Sequence, residues 1–330
     1  AAVYLGRLVG EGGFARVVAI KRLHPQFAED PEFVAMFTDE ARLAARVRHP
    51  NVVPTVDVVR DGDELLLVME YVHGVTLSRL LRVLHEADSR IPLPVISTVV
   101  GSALEGLHAA HEARGEDGRE LLLVHRDVSP QNIMVGADGV ARVLDFGVAK
   151  AVSRSRTTHD GRVRGKFAYM APEQMESGDV TRQSDVYAAG VMLWELVTGR
   201  RLFEGPNDAA LGKQGMSARI ARPSETVDIP ATLDGIVMRA LSRKPASRFR
   251  TAHDMAEALT AVVAPASAAE VTAFVTDVAG SELEQRERLI ASIESAEVEV
   301  SGVASRSAVA ADEAQTVAAP SPPAGEELSE

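Results

Sequence analysis

The sequence predicts an α+β fold with two lobes, a small strand-rich lobe followed by a larger helical lobe. Two observations support this prediction. Before residue 74, short segments alternate between apolar and polar residues, which is typical of half-buried strands. After residue 74, longer segments repeat apolar residues at helical spacing. Because the change falls near residues 70–74, we place the small lobe at 1–72 and the large lobe at 73–263.

The small lobe is predicted to contain four strands and one helix. The strand segments are 3–9, 17–21, 52–59 and 64–71. The turn residues Asp61, Gly62 and Asp63 separate the last two strands. A helix is predicted at 31–48, where apolar residues recur every three or four positions.

The large lobe is predicted to consist mainly of helices. The segments with helical periodicity are 76–88, 94–114, 183–199, 231–243 and 251–263. Three short apolar runs are predicted as strands, at 121–124, 133–135 and 140–144.

The C-terminal segment 264–330 has a different composition. It is rich in Ala, Ser and Pro, and it holds 13 acidic and 3 basic residues. A helix is predicted at 281–296, and the rest is predicted to be disordered because it offers little apolar surface to bury.

Composition and charge exclude several classes of protein. With 46% hydrophobic and 25% charged residues, the chain has the composition of a soluble globular protein. The absence of cysteine excludes a disulfide scaffold and favours a reducing, cytoplasmic location. Since no apolar run reaches about 18 residues, we expect no membrane span. A net charge of -12 without a basic stripe argues against nucleic acid as a partner.

Two short motifs carry the chemistry. His125-Arg126-Asp127 is followed by Asn132, five residues after the aspartate, and by Asp145-Phe146-Gly147, which begins eighteen residues after it. Their order and spacing argue strongly against the alternative, two unrelated turns. Phosphoryl transfer needs a carboxylate that accepts a hydroxyl proton, together with oxygen ligands that hold Mg²⁺ against phosphates. We assign the first role to Asp127 and the metal to Asn132 and Asp145.

With these motifs the chain resembles the protein-kinase family, in particular the eukaryotic-like Ser/Thr kinases of bacteria, over about residues 4–263. The resemblance implies the two-lobed protein-kinase fold, with ATP and Mg²⁺ as cofactors. Val18-Ala19-Ile20-Lys21 matches the lysine strand of the family. It implies that Lys21 contacts the α- and β-phosphates and that Glu40 is its ion-pair partner.

The resemblance also implies the positions of the nucleotide and of the supporting residues. Met69 matches the gatekeeper, and Glu70-Tyr71-Val72 matches the hinge that binds adenine. The implied nucleotide site consists of Gly10, Gly12, Val17, Ala19, Lys21, Glu70, Val72 and Met134. Glu173 is expected to pair with Arg248, and Asp185 to brace the catalytic loop.

The glycine-rich segment departs from the family pattern. Gly10, Gly12 and Val17 match it, but Ala15 replaces the third glycine, and Lys21 follows after about half the usual spacing. One hairpin of the small lobe is therefore missing. Two registers remain open: the glycines cover the phosphates as in the family, or they form the turn that leads directly into the lysine strand.

A second departure concerns two linked positions. Ser129 stands where most Ser/Thr kinases carry a catalytic lysine, and Lys166 stands where they carry a threonine. We interpret this as an exchange in which Lys166 supplies the positive charge and Ser129 the hydroxyl. The alternative is two independent losses in a decaying kinase.

The segment before Lys166 is a candidate regulatory site. Arg126 matches the arginine that grips a phosphorylated activation loop in the family. Thr158 is the first candidate acceptor and Thr157 the second, and self-association is expected for autophosphorylation there. The alternative is a polar loop without a switch.

We therefore expect an enzyme that phosphorylates Ser and Thr residues of protein substrates in bacterial signalling. Ser/Thr is favoured over Tyr because the segment from Ser129 to Asn132 lacks the pattern usual in tyrosine kinases. The rival hypothesis is a pseudokinase, a binding or scaffolding module with weak nucleotide affinity. His108 and His111, three residues apart on a helix, are expected to be a partly exposed pair and not metal ligands.

Overall fold

The small lobe of the protein, described here by a computed structural model, is built on an antiparallel sheet. The structure describes residues 2–10, 14–23, 29–62, 64–146, 166–176, 178–295 and 309–310. The strands of this sheet are β1 (Ala2–Val9), β2 (Ala15–Arg22), β3 (Thr55–Asp61), β4 (Glu64–Glu70) and β8 (Val309–Ala310). Their spatial order is β3-β4-β2-β1-β8.

Strand β1 leads directly into the strand that carries Lys21. The β1 and β2 strands pair from Val9 with Ala15 to Ala2 with Arg22, and the backbone N–H of Gly10 donates to the carbonyl of Phe14 at 2.8 Å. Strand β2 pairs on its other side with β4. The prediction that one hairpin is missing is therefore confirmed.

Helix α1 (Pro31–Ala44) packs its apolar face on this sheet. The Asp30 side chain caps the helix by accepting hydrogen bonds from the backbone N–H groups of Glu32 and Phe33. The buried side chains of the cluster under the sheet are Leu23, Phe33, Phe37, Ala41, Val53, Leu65, Leu67 and Met69. The helix ends four residues earlier than predicted, because Val47 turns into the core and the chain reaches Pro50.

The large lobe consists mainly of helices around a continuous apolar core. Its helices are α2 (Leu77–Glu86), α3 (Leu93–His111), α4 (Pro172–Met175), α5 (Arg182–Thr198), α6 (Asp208–Ser217), α7 (Ala231–Ala240) and α8 (Ala252–Val262). By length and composition α3 would pass as a membrane span, but 61% of its apolar window is buried inside the lobe, as expected of a core helix.

A small sheet lies beside the hinge. It consists of β5 (Gly74–Thr76), β6 (Ile133–Gly136) and β7 (Ala141–Val143) in that order. The strand predicted at 121–124 is wrong: in the structure this segment is irregular. Leu122 has a φ of 49° and is 69% exposed, which a regular strand of this lobe does not accommodate.

The C-terminal segment is more ordered than its composition suggests. A helical segment, α9, spans Ala268–Ser295 and is interrupted by a kink at Ala279, where φ is -134°. The part after the kink matches the predicted helix at 281–296, and the part before it lies in a segment that was predicted to be disordered. Val271, Val275, Ala279 and Leu283 recur at four-residue spacing and are buried against the large lobe. Tertiary packing of this face stabilises a segment whose sequence alone favours disorder. Residues 296–308 and 311–330 lie outside the described residues.

Candidate active site

The catalytic loop holds Asp127 and Asn132 together. The loop follows α3 and ends in a short 3₁₀ turn, Pro130–Asn132, that leads into β6. The Asn132 amide nitrogen donates to the Asp127 backbone carbonyl at 2.7 Å and to its carboxylate Oδ2 at 3.1 Å. Both contacts use the amide nitrogen of Asn132, so its amide oxygen is the atom that can coordinate a metal ion.

Lys21 and Asp145 meet across the boundary between the lobes. Lys21 Nζ donates to Asp145 Oδ2 at 2.7 Å, and both side chains are largely buried. Asp145 follows β7 and adopts a φ of 59°, a conformation that is costly for a residue other than glycine. The ion pair that the structure gives Lys21 is with Asp145. The expected pair of Lys21 with Glu40 stays a prediction.

A buried histidine and aspartate support the catalytic loop from below. Asp185, at the start of α5, accepts hydrogen bonds from the backbone N–H groups of His125 and Arg126, both at 2.8 Å. His111 Nε2 donates to the same carboxylate at 2.8 Å, and both side chains are 1% exposed. Arg126 has a φ of 68°, so the loop is held in a strained conformation where these bonds converge.

The charge of Asp185 is stabilised in this position. Burial alone would raise the pKa of Asp185, but the hydrogen bond from His111 and the bond from the Arg126 backbone hold it below its ordinary value. His111 is therefore a supporting residue of the loop. The expectation of a partly exposed pair is wrong for His111, because its partner lies on another helix 74 residues further along the chain. Its apolar surroundings on α3 were the available signal in the sequence.

Glu173 and Arg248 form a bidentate ion pair beside the loop. Arg248 Nη1 and Nη2 contact the two Glu173 carboxylate oxygens at 2.6 and 2.8 Å. Ser184 Oγ donates to the same carboxylate at 2.7 Å, and the Gln174 amide donates to the Arg126 carbonyl at 3.0 Å. This geometry confirms the expected Glu173–Arg248 pair and ties α4 to the catalytic loop.

Two of the residues expected around adenine, Ala19 and Val72, belong to one apolar cluster of the small lobe. Ala19, Val72 and Leu144 pack against the small-lobe cluster that contains buried Met69. Glu70 pairs with Val18 across β2 and β4. Met134, on β6, is half-buried and pairs with Thr76 of β5.

Gly10 does not lie with these residues. Gly10 adjoins the β1–β2 turn, whereas Lys21 pairs with Val3 near the opposite end of the same hairpin. Lys21 lies six positions after Ala15 on β2, about 20 Å away at a rise of about 3.3 Å per residue. Of the two registers, the structure favours the one in which the turn leads directly into the lysine strand. The expectation that Gly10 contacts the phosphates is corrected accordingly, and Gly12 lies outside the described residues. Val17 lies on β2 near the same turn.

Part of the site falls outside the described residues. Ser129 is buried, with 8% of its surface exposed, and its carbonyl accepts the Asn132 N–H at 2.9 Å. Lys166 begins the short 3₁₀ turn Lys166–Ala168, but its side chain lies outside the described residues. Thr157 and Thr158 lie outside them as well.

The donor set fits a hard divalent cation. Asn132 offers an amide oxygen and Asp145 a carboxylate, and hard cations such as Mg²⁺ prefer oxygen ligands. Lys21 places a positive charge beside the same carboxylate, where it would also face bound phosphates. Among the described residues no group of three His, Asp or Glu side chains forms a separate metal site.

Comparisons with known proteins identify the family and the fold. The family model described as "Protein kinase domain" matches residues 5–260. The kinase domain of Mycobacterium tuberculosis PknI is a structural neighbour at 27% identity and a TM-score of 0.58, with 79% of this chain and 90% of that domain covered.

Three curated relatives match the same region. The tyrosine-protein kinase MasK of Myxococcus xanthus is 42% identical over 78% of this chain. Two serine/threonine-protein kinases also match: PknL of M. tuberculosis is 36% identical over 75% of this chain, and PrkC of Bacillus subtilis is 33% identical over 76%. The chain spans 40% of MasK, 59% of PknL and 38% of PrkC.

Proposed function

The chain belongs to the protein kinase domain family, and on that premise we propose that it transfers the γ-phosphate of ATP to Ser and Thr hydroxyls of proteins, with Mg²⁺ as the metal. The observation that carries the proposal is the joint placement of two pairs. Asp127 is bonded to Asn132, and Lys21 is bonded to Asp145. These are the residue types that phosphoryl transfer uses.

Each of these side chains has a role that its position supports. Asp127 accepts the proton of the substrate hydroxyl and orients it, while the bond from Asn132 fixes the direction of the carboxylate. Asn132 and Asp145 hold Mg²⁺, and Lys21 contacts the α- and β-phosphates. Bound ATP supplies the phosphoryl group. Catalysis then depends on positioning and charge, which the buried support of Asp185 makes rigid.

Further parts of the proposal concern residues near the substrate. We infer that Lys166 supplies the positive charge that Ser129 cannot supply, and that Ser129 provides the hydroxyl in return. We propose Thr158, and as second choice Thr157, as the residue that is phosphorylated by a second copy of the chain. Arg126 would then bind the phosphate group. The substrates are proteins, and we place the reaction in the cytoplasm.

Tyrosine phosphorylation is the second candidate. It is favoured by one observation, the 42% identity to a relative named a tyrosine-protein kinase. Serine and threonine remain preferred because PknL and PrkC are named serine/threonine-protein kinases. A pseudokinase would bind ATP weakly and transfer nothing.

Transfer from radiolabelled ATP, followed by phosphoamino-acid analysis, tests the proposal. Purified chain is incubated with Mg²⁺, labelled ATP and a generic protein substrate, and the labelled protein is hydrolysed. We expect phosphoserine and phosphothreonine, and no label when Mg²⁺ is chelated. Phosphotyrosine alone would establish the second candidate, and unlabelled protein from a folded chain would support the pseudokinase.

A further inference from the structure

Helix α9 starts on the large lobe and is firmly attached there. Thr98 Oγ1 donates to the carbonyl of Ala266 at 2.8 Å, just before the helix, and Thr272 Oγ1 donates to the carbonyl of Ala137 at 3.0 Å. A side chain at Gly139, where φ is 77°, would collide with the backbone of Ala268. The first turns of α9 therefore move with the large lobe.

The middle of α9 contacts the chain at the hinge. The Arg286 guanidinium donates to the carbonyl of Gly74 and to Glu282 Oε1, the latter at 2.6 Å. Glu282 Oε2 in turn accepts from Arg79 Nε of α2 at 2.7 Å. The side chains of Arg79, Glu282 and Arg286 are about two-thirds to three-quarters buried, between 24% and 34% exposed. Arg286 thus links α9 directly to the chain just after the hinge, at Gly74. Through Glu282 it is also linked to Arg79 of α2.

Two hinge side chains lie against the same stretch of α9. His73 Nε2 lies 3.2 Å from Glu287 Oε1, and the Tyr71 hydroxyl lies 3.3 Å from His73 Nδ1. Burial raises the pKa of Tyr71, and the positive charge of Arg286 partly opposes that rise. Tyr71 and His73 flank Val72, whose backbone belongs to the proposed adenine site.

The end of α9 reaches the small lobe. The helix contacts β1 and β2, and Ile293 is 9% exposed. Glu294 lines the same groove as Arg7 and Arg16. The two halves of α9, which meet at the Ala279 kink, therefore run from the large lobe, past the hinge, to the small lobe.

We propose that α9 is a brace that fixes the hinge and the spacing of the lobes for nucleotide binding, with Arg286 as its positioning residue. The proposal rests on the proposed function, since the nucleotide is taken to be ATP. Arg286 touches no reacting atom; it acts through the Gly74 carbonyl. Because the adenine site includes the backbone of Val72, two residues before Gly74, loosening Arg286 loosens the adenine site. Arg286 donates its hydrogen bonds to Gly74 and Glu282, so the chemical step at Asp127 is expected to persist.

Kinetics of Arg286 variants in the full chain test the brace. Arg286→Ala is expected to raise the KM for ATP about tenfold, equivalent to about 1.4 kcal/mol, with kcat within about twofold of the parent. Arg286→Lys keeps one donor and the charge, and it is expected to recover much of the loss. Arg288→Ala, an exposed arginine on the same helix, is the matched control and should leave KM and kcat unchanged.

Hydrogen exchange supplies a readout that does not need activity. Amides of residues 70–76 are expected to exchange faster in Arg286→Ala than in the parent and in Arg288→Ala. If the parent transfers no phosphate, the proposed function fails while this measurement still tests the brace. The brace is refuted if Arg286→Ala matches Arg288→Ala in hinge exchange, or if it lowers kcat and leaves the KM for ATP unchanged.

Discussion

Lys21 Nζ and Asp145 Oδ2 lie 2.7 Å apart, although 124 residues separate them in the chain. The lysine lies on β2, the middle strand of the small-lobe sheet, and the aspartate lies in the loop that follows β7 of the large lobe. This pair places a positive charge beside the carboxylate that we propose as a metal ligand, at one point between the lobes. The phosphates of ATP are expected to bind there, although the glycine turn lies at the far end of the hairpin.

Restoring the missing hairpin is expected to strengthen ATP binding. Inserting a strand-turn segment of about eleven residues between Val17 and Val18 would free the glycine segment to form a closed loop over the phosphates. Backbone N–H groups of such a loop bind phosphate oxygens, so we expect the Kd for ATP to fall about tenfold. Calorimetry would measure the change, with a Gly/Ser insertion of equal length as control. Equal affinity of both insertions and the parent would show that the short lobe is already competent.

The His111–Asp185 bond is expected to matter for both stability and turnover. His111→Phe leaves the buried carboxylate of Asp185 without one of its donors, a loss of about 1–3 kcal/mol in the free energy of unfolding. The catalytic loop above it loosens, so kcat should fall. His111→Gln keeps an N–H near the same place and should be milder. His108→Ala, on the same helix but without a bond to Asp185, is the control; if it proves as harmful as His111→Phe, the role given to His111 is wrong.

Acid is expected to weaken the Glu173–Arg248 pair. Burial alone would raise the pKa of Glu173, but hydrogen bonds from Arg248 and Ser184 hold it below its ordinary value of 4.5. The stabilisation is therefore complete above pH 4.5 and is lost as the pH falls through the lower folded-state pKa. Glu173→Gln, which leaves Arg248 buried and unpaired, should cost about 3 kcal/mol or more at neutral pH.

Thermal unfolding of Glu173→Gln and the parent checks this sign. The difference in Tm should be largest above pH 5 and should shrink as the pH falls toward 3. A difference that stays constant over this range would mean that the Glu173 charge contributes nothing to the pair.

The exchange between Ser129 and Lys166 predicts non-additive kinetics. Lys166→Thr removes the proposed charge and should lower kcat by about 100-fold or more, while Ser129→Lys should crowd two ammonium groups and also lose activity. The double variant restores the commoner arrangement and should recover much of the loss. The three variants are assayed together at saturating ATP. A harmless Lys166→Thr would make Lys166 an ordinary surface charge.

Local spacing predicted the parts of the site that lie close in sequence. Asp127 and Asn132 are five residues apart in one loop, and the structure joins them by two hydrogen bonds. The Glu173–Arg248 pair followed from the family register. His111 escaped prediction because a helix face does not reveal which distant element covers it. The course of α9 escaped for the same reason, because the four-residue spacing of Val271, Val275, Ala279 and Leu283 does not show which part of the protein covers that face.

The position of the glycine segment relative to Lys21 could also be determined only from the structure. The sequence shows that a hairpin is missing, but two registers satisfy the spacing of Gly10 and Lys21 equally. Strand pairing decides between them, because β1 and β2 must run antiparallel when only the five residues 10–14 join them. That pairing carries Gly10 away from Lys21.

Turnover by Asp127→Asn tests the central claim most directly. Asparagine keeps the size of the side chain and its bond distance to Asn132 but is not basic, so ATP binding and Tm should match the parent. We measure phosphate transfer to a protein substrate and ATP affinity in the same preparations. The account predicts that the parent transfers phosphate and that Asp127→Asn binds ATP equally well without detectable transfer. Transfer by Asp127→Asn at the parent rate would contradict it.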